Sequence, residues 1–319
     1  MSYITLNGTD INVSKTALGT ATFGKTVDKK TSFKVMDSFF EYGGNLLDTA
    51  NVYANWLPGE KSSSEKTIGR WMKEKNNRHQ VVISTKGAHP HIGIEKVQRL
   101  SECEIMADIE DSLLNLGTDY IDVYFLHRDD IKRPVGEIMR TLHKIVISGK
   151  ARSVGLSNWC PKRIDEALQY CKDNNITLPI ASQIQFGIAY PNPENIDPTT
   201  EYMHKTAFEF YSKKELNLFS FSSQSGGYFF CTDADGKPVK NPSYDSELSR
   251  KKFDLVMEMT KKYNCSVAQA IVSALSSNKA FLTIPIIGGV TEEQIKDSMD
   301  GTTLIMEEAD VKKLLLREV

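Results

Sequence analysis

Eight short apolar runs, each followed by a polar turn and a segment of helical spacing, constrain this chain more than any other feature. They are Thr16–Leu18, Asn45–Leu47, Val81–Ser84, Ile121–Leu126, Arg152–Leu156, Ala181–Gln185, Leu216–Phe221 and Phe281–Ile287. Most are apolar at consecutive positions, the pattern of parallel strands covered on both faces. The intervening segments carry helix signals. Val135, Ile138, Leu142, Ile145 and Val146 follow the i, i+3/i+4 rhythm, with Pro134 suited to the first helical position and Gly149 beyond the end. Ile164, Ala167, Leu168 and Cys171 form a second stripe after Pro161. Ser62–Ser63–Ser64–Glu65 has the form of a capping box ahead of Ile68 and Met72. Further helices are expected near 31–42, 104–116, 201–214, 246–262 and 266–278. Eight such repeats in about 270 residues predict an α/β fold, a closed (β/α)8 TIM barrel, with residues 1–319 as one domain. A doubly wound sheet is the alternative. It wants a Gly-rich turn after its first strand, and Gly19–Thr20–Ala21–Thr22–Phe23–Gly24 is not G-x-G-x-x-G.

Three segments exceed the repeats. Alternating runs around Asn7–Gly8, over 3–13, predict a β-hairpin with a type I′ turn. The last two strand starts are unusually far apart, which predicts a long loop over 222–244 after strand seven, a candidate lid or binding loop. Val311, Leu314 and Leu315 predict a helix within Glu307–Val319 that packs on the barrel.

Composition removes other classes of function. The 39 basic and 41 acidic residues leave a net charge of −2, and no basic cluster marks a nucleic-acid surface. No run approaches the ~18 apolar residues of a membrane helix. Met1–Ser2–Tyr3–Ile4 shows no basic stretch followed by an apolar run, so no secretory leader is expected there. Five widely spaced cysteines, an odd number, suit reduced thiols, and we expect a cytoplasmic protein. Metal, P-loop and nucleophile-elbow motifs are missing, and His89–Pro90–His91 alone is a weak metal signal, so no metal is expected. Nothing in the sequence sets an oligomeric state.

Barrel active sites lie at the C-terminal ends of the strands. Reading those ends gives Asp48, with Tyr53 five residues on, then Lys86, His127, Ser157 with Asn158, and Gln183. Taken singly, each has a structural explanation: an Asp caps a turn, a loop Tyr packs, a Lys is solvated, a His bonds to the backbone. Together on one rim, they suit proton donation to a carbonyl. A free Tyr, with a pKa of ~10, is a poor acid near neutrality. A nearby ammonium would lower it. Asp48 would hold Lys86 charged, and His127 would orient the carbonyl oxygen. Phe23, Trp56, His89 and Arg128 lie just beyond these positions and are expected to line the substrate pocket.

The motifs resemble those of the aldo-keto reductases. Leu18–Gly24 looks like that family's first-strand signature. Gly44–Asn45–Leu46–Leu47–Asp48–Thr49–Ala50–Asn51–Val52–Tyr53 looks like G-x-N-x-x-D-T-A-x-x-Y, Gly149–Trp159 like G-K-x-R-x-x-G-x-S-N, and Ile284–Gly289 like the last-strand motif. Leu126–His127–Arg128 and Ser157–Asn158–Trp159 look most like the bacterial and potassium-channel β-subunit branch. The resemblance implies a barrel binding NADP(H) and reducing small aldehydes or ketones, sugar-like carbonyls included. It implies Tyr53 as general acid/base tuned by Lys86 and Asp48, with His127 orienting the substrate. It implies Ser157, Asn158 and Gln183 on the nicotinamide carboxamide, Phe221 stacked on that ring, and Ser222, Ser223 and Gln224 beside the pyrophosphate. Gly19, Thr20 and Asp48 join that cofactor set at the first strands, and Gly289, Thr291 and Gln294 at the adenine end. The chain departs from the family in three places. Ser222–Ser223–Gln224 replaces the usual Ser-Pro-Leu. Gly288–Gln294 holds no Lys or Arg for a 2′-phosphate, which predicts weaker NADPH discrimination and use of NAD(H). The loop Ala54–Lys61 is long and should overhang the substrate side with Trp56 as a wall. Two other readings stay open: an NADP(H)-sensing module with slow turnover, and an aldolase using Lys86 as a Schiff-base nucleophile.

Overall fold

The computed structural model describes residues 3–94, 97–232, 236–239 and 241–317. Met1, Ser2, part of the loop expected at 222–244 and the last two residues of the expected tail helix lie outside them. The order is β1 (Ile4–Thr5), β2 (Asn12–Val13), β3 (Ala17–Gly19), α1 (Lys29–Glu41), β4 (Leu46–Asp48), α2 (Ser63–Lys75), β5 (Val82–Gly87), α3 (Glu102–Leu116), β6 (Ile121–Leu126) and α4 (Val135–Ile147). It continues with β7 (Ala151–Ser157), α5 (Pro161–Asp173), β8 (Ala181–Gln185), α6 (Lys205–Tyr211), β9 (Asn217–Phe221), α7 (Glu247–Tyr263), α8 (Val267–Ser276), β10 (Thr283–Ile287), α9 (Glu292–Asp300) and α10 (Glu308–Leu315). Strands β3 to β10 are all parallel and close in sequence order, β10 returning to β3. This is the expected (β/α)8 TIM barrel.

Two cores follow from the strand alternation. The larger lies between the strands' outer faces and the helices, and includes Leu47, Ile83, Tyr124, Leu126 and Leu156. The smaller fills the barrel with Leu46, Val82, Val123, Phe125, Ala181, Phe219 and Ile284. Inside it, the Phe125 and Phe219 rings meet edge to face, 5.2 Å between centroids. Gly155 makes room for them, because a Cβ there would strike the Phe125 ring. The hairpin closes one end: Leu6, Ile11 and Val13 join this inner core, and Asn7 and Asn217 exchange hydrogen bonds of 2.8 and 3.1 Å. The opposite end, where the strands terminate, is left for chemistry. Among the described residues no helix is long and apolar enough to cross a membrane. All five cysteines are free.

Four local expectations are corrected. The hairpin has no type I′ turn: only Gly8 of the Asn-Gly pair has positive φ. Thr9 Oγ1 donates to Leu6 O and accepts from Ile11 N, which captures the polar groups of a wider loop. The Ser62–Glu65 capping box does not form, since Ser62 is left-handed and caps nothing. Glu65 turns inward instead and accepts from Thr85 Oγ1 (2.6 Å) and Asn115 Nδ2 (3.0 Å). Pro134 is the N-cap of α4 rather than its first residue. The helix expected near 201–214 shortens to Lys205–Tyr211, started by His204, whose Nδ1 accepts from Ala207 N.

Candidate active site

Asp48 ends β4 and is buried. Its Oδ1 accepts from Ser84 Oγ (2.8 Å) and Gln183 Nε2 (2.9 Å), and its Oδ2 from Lys86 Nζ (2.7 Å). Ser84 and Lys86 are two residues apart on β5, so the strand sends both side chains inward. Lys86 has no solvent exposure. Its ammonium donates to Asp48, to Thr49 O (2.8 Å) and to Tyr53 Oη (3.1 Å), which uses all three hydrogens. Tyr53 stands in the loop after β4. That loop is tied to β5 by Thr49 N on Ser84 O and Asn51 N on Lys86 O, both 2.9 Å. Beneath it, the Ser64 hydroxyl joins Thr20 and Thr49.

The electrostatics follow from burial and these partners. Burial works against the Lys86 charge, but Asp48 and the Tyr53 oxygen outweigh it and hold its pKa above the ordinary lysine value. Burial lifts the Tyr53 hydroxyl above the usual phenol range. Lys86 pulls it down only in part, and Asp48 adds to the rise. The net lowering expected from the ammonium is therefore overturned by desolvation. His127, past the end of β6, is 7% exposed. Burial, then the positive charge of Arg128, pushes its pKa well below the histidine norm, so the ring is neutral at pH 7. Its Nδ1 has no partner among the described residues. Its ring lies 5.9 Å from that of Tyr53 and 4.7 Å from that of His89.

Beside this cluster runs a trough of about 800 Å³, between the ends of β3, β9 and β10. Gly19, Thr20, Asp48, Phe221, Ser222, Ser223, Gln224, Gly289 and Gln294 line it, and so do Tyr53 and Phe23. Phe23, expected on the substrate side, is 2% exposed and belongs to the trough wall. Ser157, Asn158 and Gln183 form an adjoining network. Ser157 Oγ donates to Gln183 O (3.0 Å), while Asn158 Nδ2 donates to Ser157 Oγ and His127 O, both 3.1 Å. Thr291 and Gln294 cap α9: Thr291 Oγ1 accepts from Gln294 N, and Gln294 Oε1 accepts from Val290 N (2.9 Å) and Thr291 N (3.3 Å).

The remaining expected substrate residues divide. Trp56 stands in the loop between β4 and α2, 46% exposed, its ring edge-on to Tyr53 at 6.3 Å. His89 lines a polar crevice beside the cluster, with Lys86, Asn51, His91 and Arg99. Arg128 is buried and does not line the trough. It donates to His127 O (2.9 Å), Thr199 Oγ1 (2.8 Å) and Asp197 Oδ2 (3.0 Å), so it braces a loop. Sequence reading missed Ser84, Ser64, Ala268, Asp297 and Ser298. For Ser84 a signal existed, its two-residue offset from Lys86. The others reach the site from helices that no strand-end rule covers.

Comparison with known proteins places the chain in a family. The model of the Aldo/keto reductase family matches residues 15–314. Over 318 residues the chain is 26% identical to norsolorinic acid reductase of Aspergillus flavus, covering 95% of this chain and 77% of that one. It is 28% identical to the uncharacterized oxidoreductase YrpG of Bacillus subtilis, covering 98% and 95%. A 33% match to aryl-alcohol dehydrogenase [NADP(+)] of Phanerodontia chrysosporium spans 52% of this chain and 46% of that one. The thermostable aldo-keto reductase Tm1743, solved with the inhibitor epalrestat, superposes with a TM-score of 0.74 at 20% identity, covering 98% of both chains. The chain belongs to the aldo/keto reductase family of oxidoreductases.

Proposed function

We propose that the protein reduces aldehydes and ketones to alcohols with a reduced nicotinamide dinucleotide, accepting NADH at least as readily as NADPH, and that residues 1–319 act as one barrel unit in the cytoplasm. The observation that carries this reading is the Lys86 ammonium, fixed between Asp48 and the Tyr53 hydroxyl. A carbonyl oxygen lying between Tyr53 and His127 receives the Tyr53 proton. The adjacent Lys86 charge stabilises the phenolate left behind, and the proton is later regained from solvent. Because Tyr53 stays protonated near neutral pH, it is loaded as a donor. Neutral His127 offers one N–H to the same oxygen. When bound, the nicotinamide supplies the hydride that reaches the carbonyl carbon.

The trough suits such a dinucleotide. Its volume is within the ~300–1,000 Å³ of small-molecule sites. Side chains at Gly227 and Gly288 would project into open space, and the buried Ser225 hydroxyl has no partner among the described residues. Gln183 and Ser157 would hold the carboxamide, Phe221 the ring face, and the Ser222–Gln224 backbone the pyrophosphate. Among the described residues no lysine or arginine lines the trough, whereas Asp297 does. A 2′-phosphate therefore finds no charge-assisted donor among the described residues, which favours NADH. The half-exposed Trp56 ring suits a planar aromatic carbonyl, as the name of the aryl-alcohol relative suggests for that enzyme.

The test is a panel of aromatic aldehydes and aldoses assayed with NADH and NADPH side by side, on wild type and Tyr53→Phe. We expect the variant to lose at least ~10²-fold in kcat. An unchanged kcat would sink the mechanism, and a strong preference for NADPH would sink the cofactor assignment.

A further inference from the structure

Arg317 follows α10 and is 4% exposed. Its guanidinium donates to the carbonyls of Gly187 and Ile188 and lies over the rings of Phe186 and Tyr190, 4.9 and 4.8 Å from their centroids. Among the described residues no carboxylate pairs with it. Burying a guanidinium this way is costly unless its donors are met and its place is fixed. The place is fixed twice. Tyr190 Oη donates to Leu316 O (3.0 Å), and Lys252 Nζ donates to the carbonyls of Lys313 and Leu314 (2.7 and 2.9 Å).

The strip that Arg317 grips, residues 186–190, backs the trough. Phe186 N donates to Phe221 O (3.1 Å). A Cβ on Gly187 would come within 2.6 Å of Ser225 Oγ and within 2.8 and 2.9 Å of the carbonyl oxygens of Ser223 and Ser222. The loop pressed against Gly187 is strained at two serines: φ is +49° at Ser222 and +52° at Ser225. Left-handed serines cost of order 1–3 kcal/mol each and persist only where their surroundings enforce them. Ser222, Ser223, Gln224 and Gly226 all face the trough.

We propose that Arg317 is a positioning residue for dinucleotide binding: it clamps the 186–190 strip, and Gly187 in turn props the strained 222–226 loop in its binding form. The idea rests on the dinucleotide reading above. Coupling between two sites is reciprocal, so a bound dinucleotide also tightens the segment around Arg317.

The experiment measures equilibrium affinity for NADH and NADPH by fluorescence titration, kcat at saturating cofactor, and hydrogen exchange over 312–317. It uses wild type, Arg317→Met, Arg317→Lys and Gly187→Ala. We expect Kd to rise about tenfold in Arg317→Met, with kcat held within about twofold. The lysine variant, which keeps the charge but loses the fork, should fall between. Gly187→Ala should weaken binding similarly by pushing the loop from behind. NADH should slow exchange at 316–317 in wild type. Unchanged affinity in folded Arg317→Met overturns the proposal; if that variant does not fold, unchanged affinity in Gly187→Ala does so. Exchange at 316–317 that ignores the cofactor also overturns it. Wild type that binds neither nucleotide overturns the dinucleotide reading itself, a separate result.

Discussion

At the reacting end of the trough, Asp48, Lys86 and Gln183 are buried; Asp48 bonds to Lys86, Ser84 and Gln183 from neighbouring strands, and Lys86 also to Thr49 and Tyr53 of the loop after β4. At the far end, Val290 is 50% exposed, Gln294 is exposed, and the available polar groups are backbone amides and the cap of α9. One end sets protonation states by burial and paired charge. The other has shape but, among the described residues, no positive charge to offer a phosphate. The difference teaches where the site tolerates change. A substitution at the reacting end leaves a buried ion without its partner, whereas one at the far end meets water.

Lys86→Met is the strongest way to break this contrast. It removes the charge that stabilises the Tyr53 phenolate and strands Asp48 as an uncompensated buried carboxylate. We expect kcat to fall by roughly 10³-fold and folding stability to drop by about 3–5 kcal/mol, measured by steady-state kinetics and denaturant unfolding. A kcat within tenfold of wild type would show that the ammonium does not tune the tyrosine. The next effect comes from the far end. Val290→Arg adds a guanidinium where the trough opens, leaving the Gln294 cap intact. A charge-assisted bond contributes about 1.5–3 kcal/mol, so kcat/KM for NADPH should rise about tenfold or more, with NADH little changed. No gain for NADPH would mean that the adenine end of the cofactor lies elsewhere.

The legible part of the molecule was the part governed by local rules. Continuous apolar runs with intervening helical stripes give the barrel, because parallel strands buried on both faces admit little else. Asp48, Lys86 and His127 were legible as the first ionisable residues after such runs. Side chains whose partners are distant in sequence were not. Ser62–Glu65 has the spacing of a capping box, yet Glu65 answers to Thr85 and Asn115 from two other elements. The reciprocal caps that do form are Ser101–Glu104, Ser266–Gln269 and Thr291–Gln294. Arg128 read as a pocket residue because it follows His127, but its charge is met by Asp197. The direction of the Tyr53 shift also escaped, since a sequence shows the nearby ammonium and not the desolvation that outweighs it.

The smallest expected effect on rate is a null one, and it tests whether burial governs the reacting end. An exposed histidine titrates near pH 6.5. His127 is buried beside Arg128, His89 and Lys86, and its pKa lies well below that. The folded ring therefore stays neutral as the pH falls through 6.5, and kcat with saturating NADH should be flat between pH 6 and 8. Stability behaves differently. Below pH 6.5 the unfolded chain takes up a proton that the folded ring refuses, so the unfolded state binds more protons and stability declines with falling pH. One such group contributes a slope of up to about 1.4 kcal/mol per pH unit, from 6.5 down to the folded pKa. His127→Gln should remove that slope from the pH dependence of denaturant unfolding. A kcat inflection near 6.5 that disappears in the same variant would mean the imidazole is solvated, and the contrast between the two ends of the trough would then rest on Asp48 and Lys86 alone.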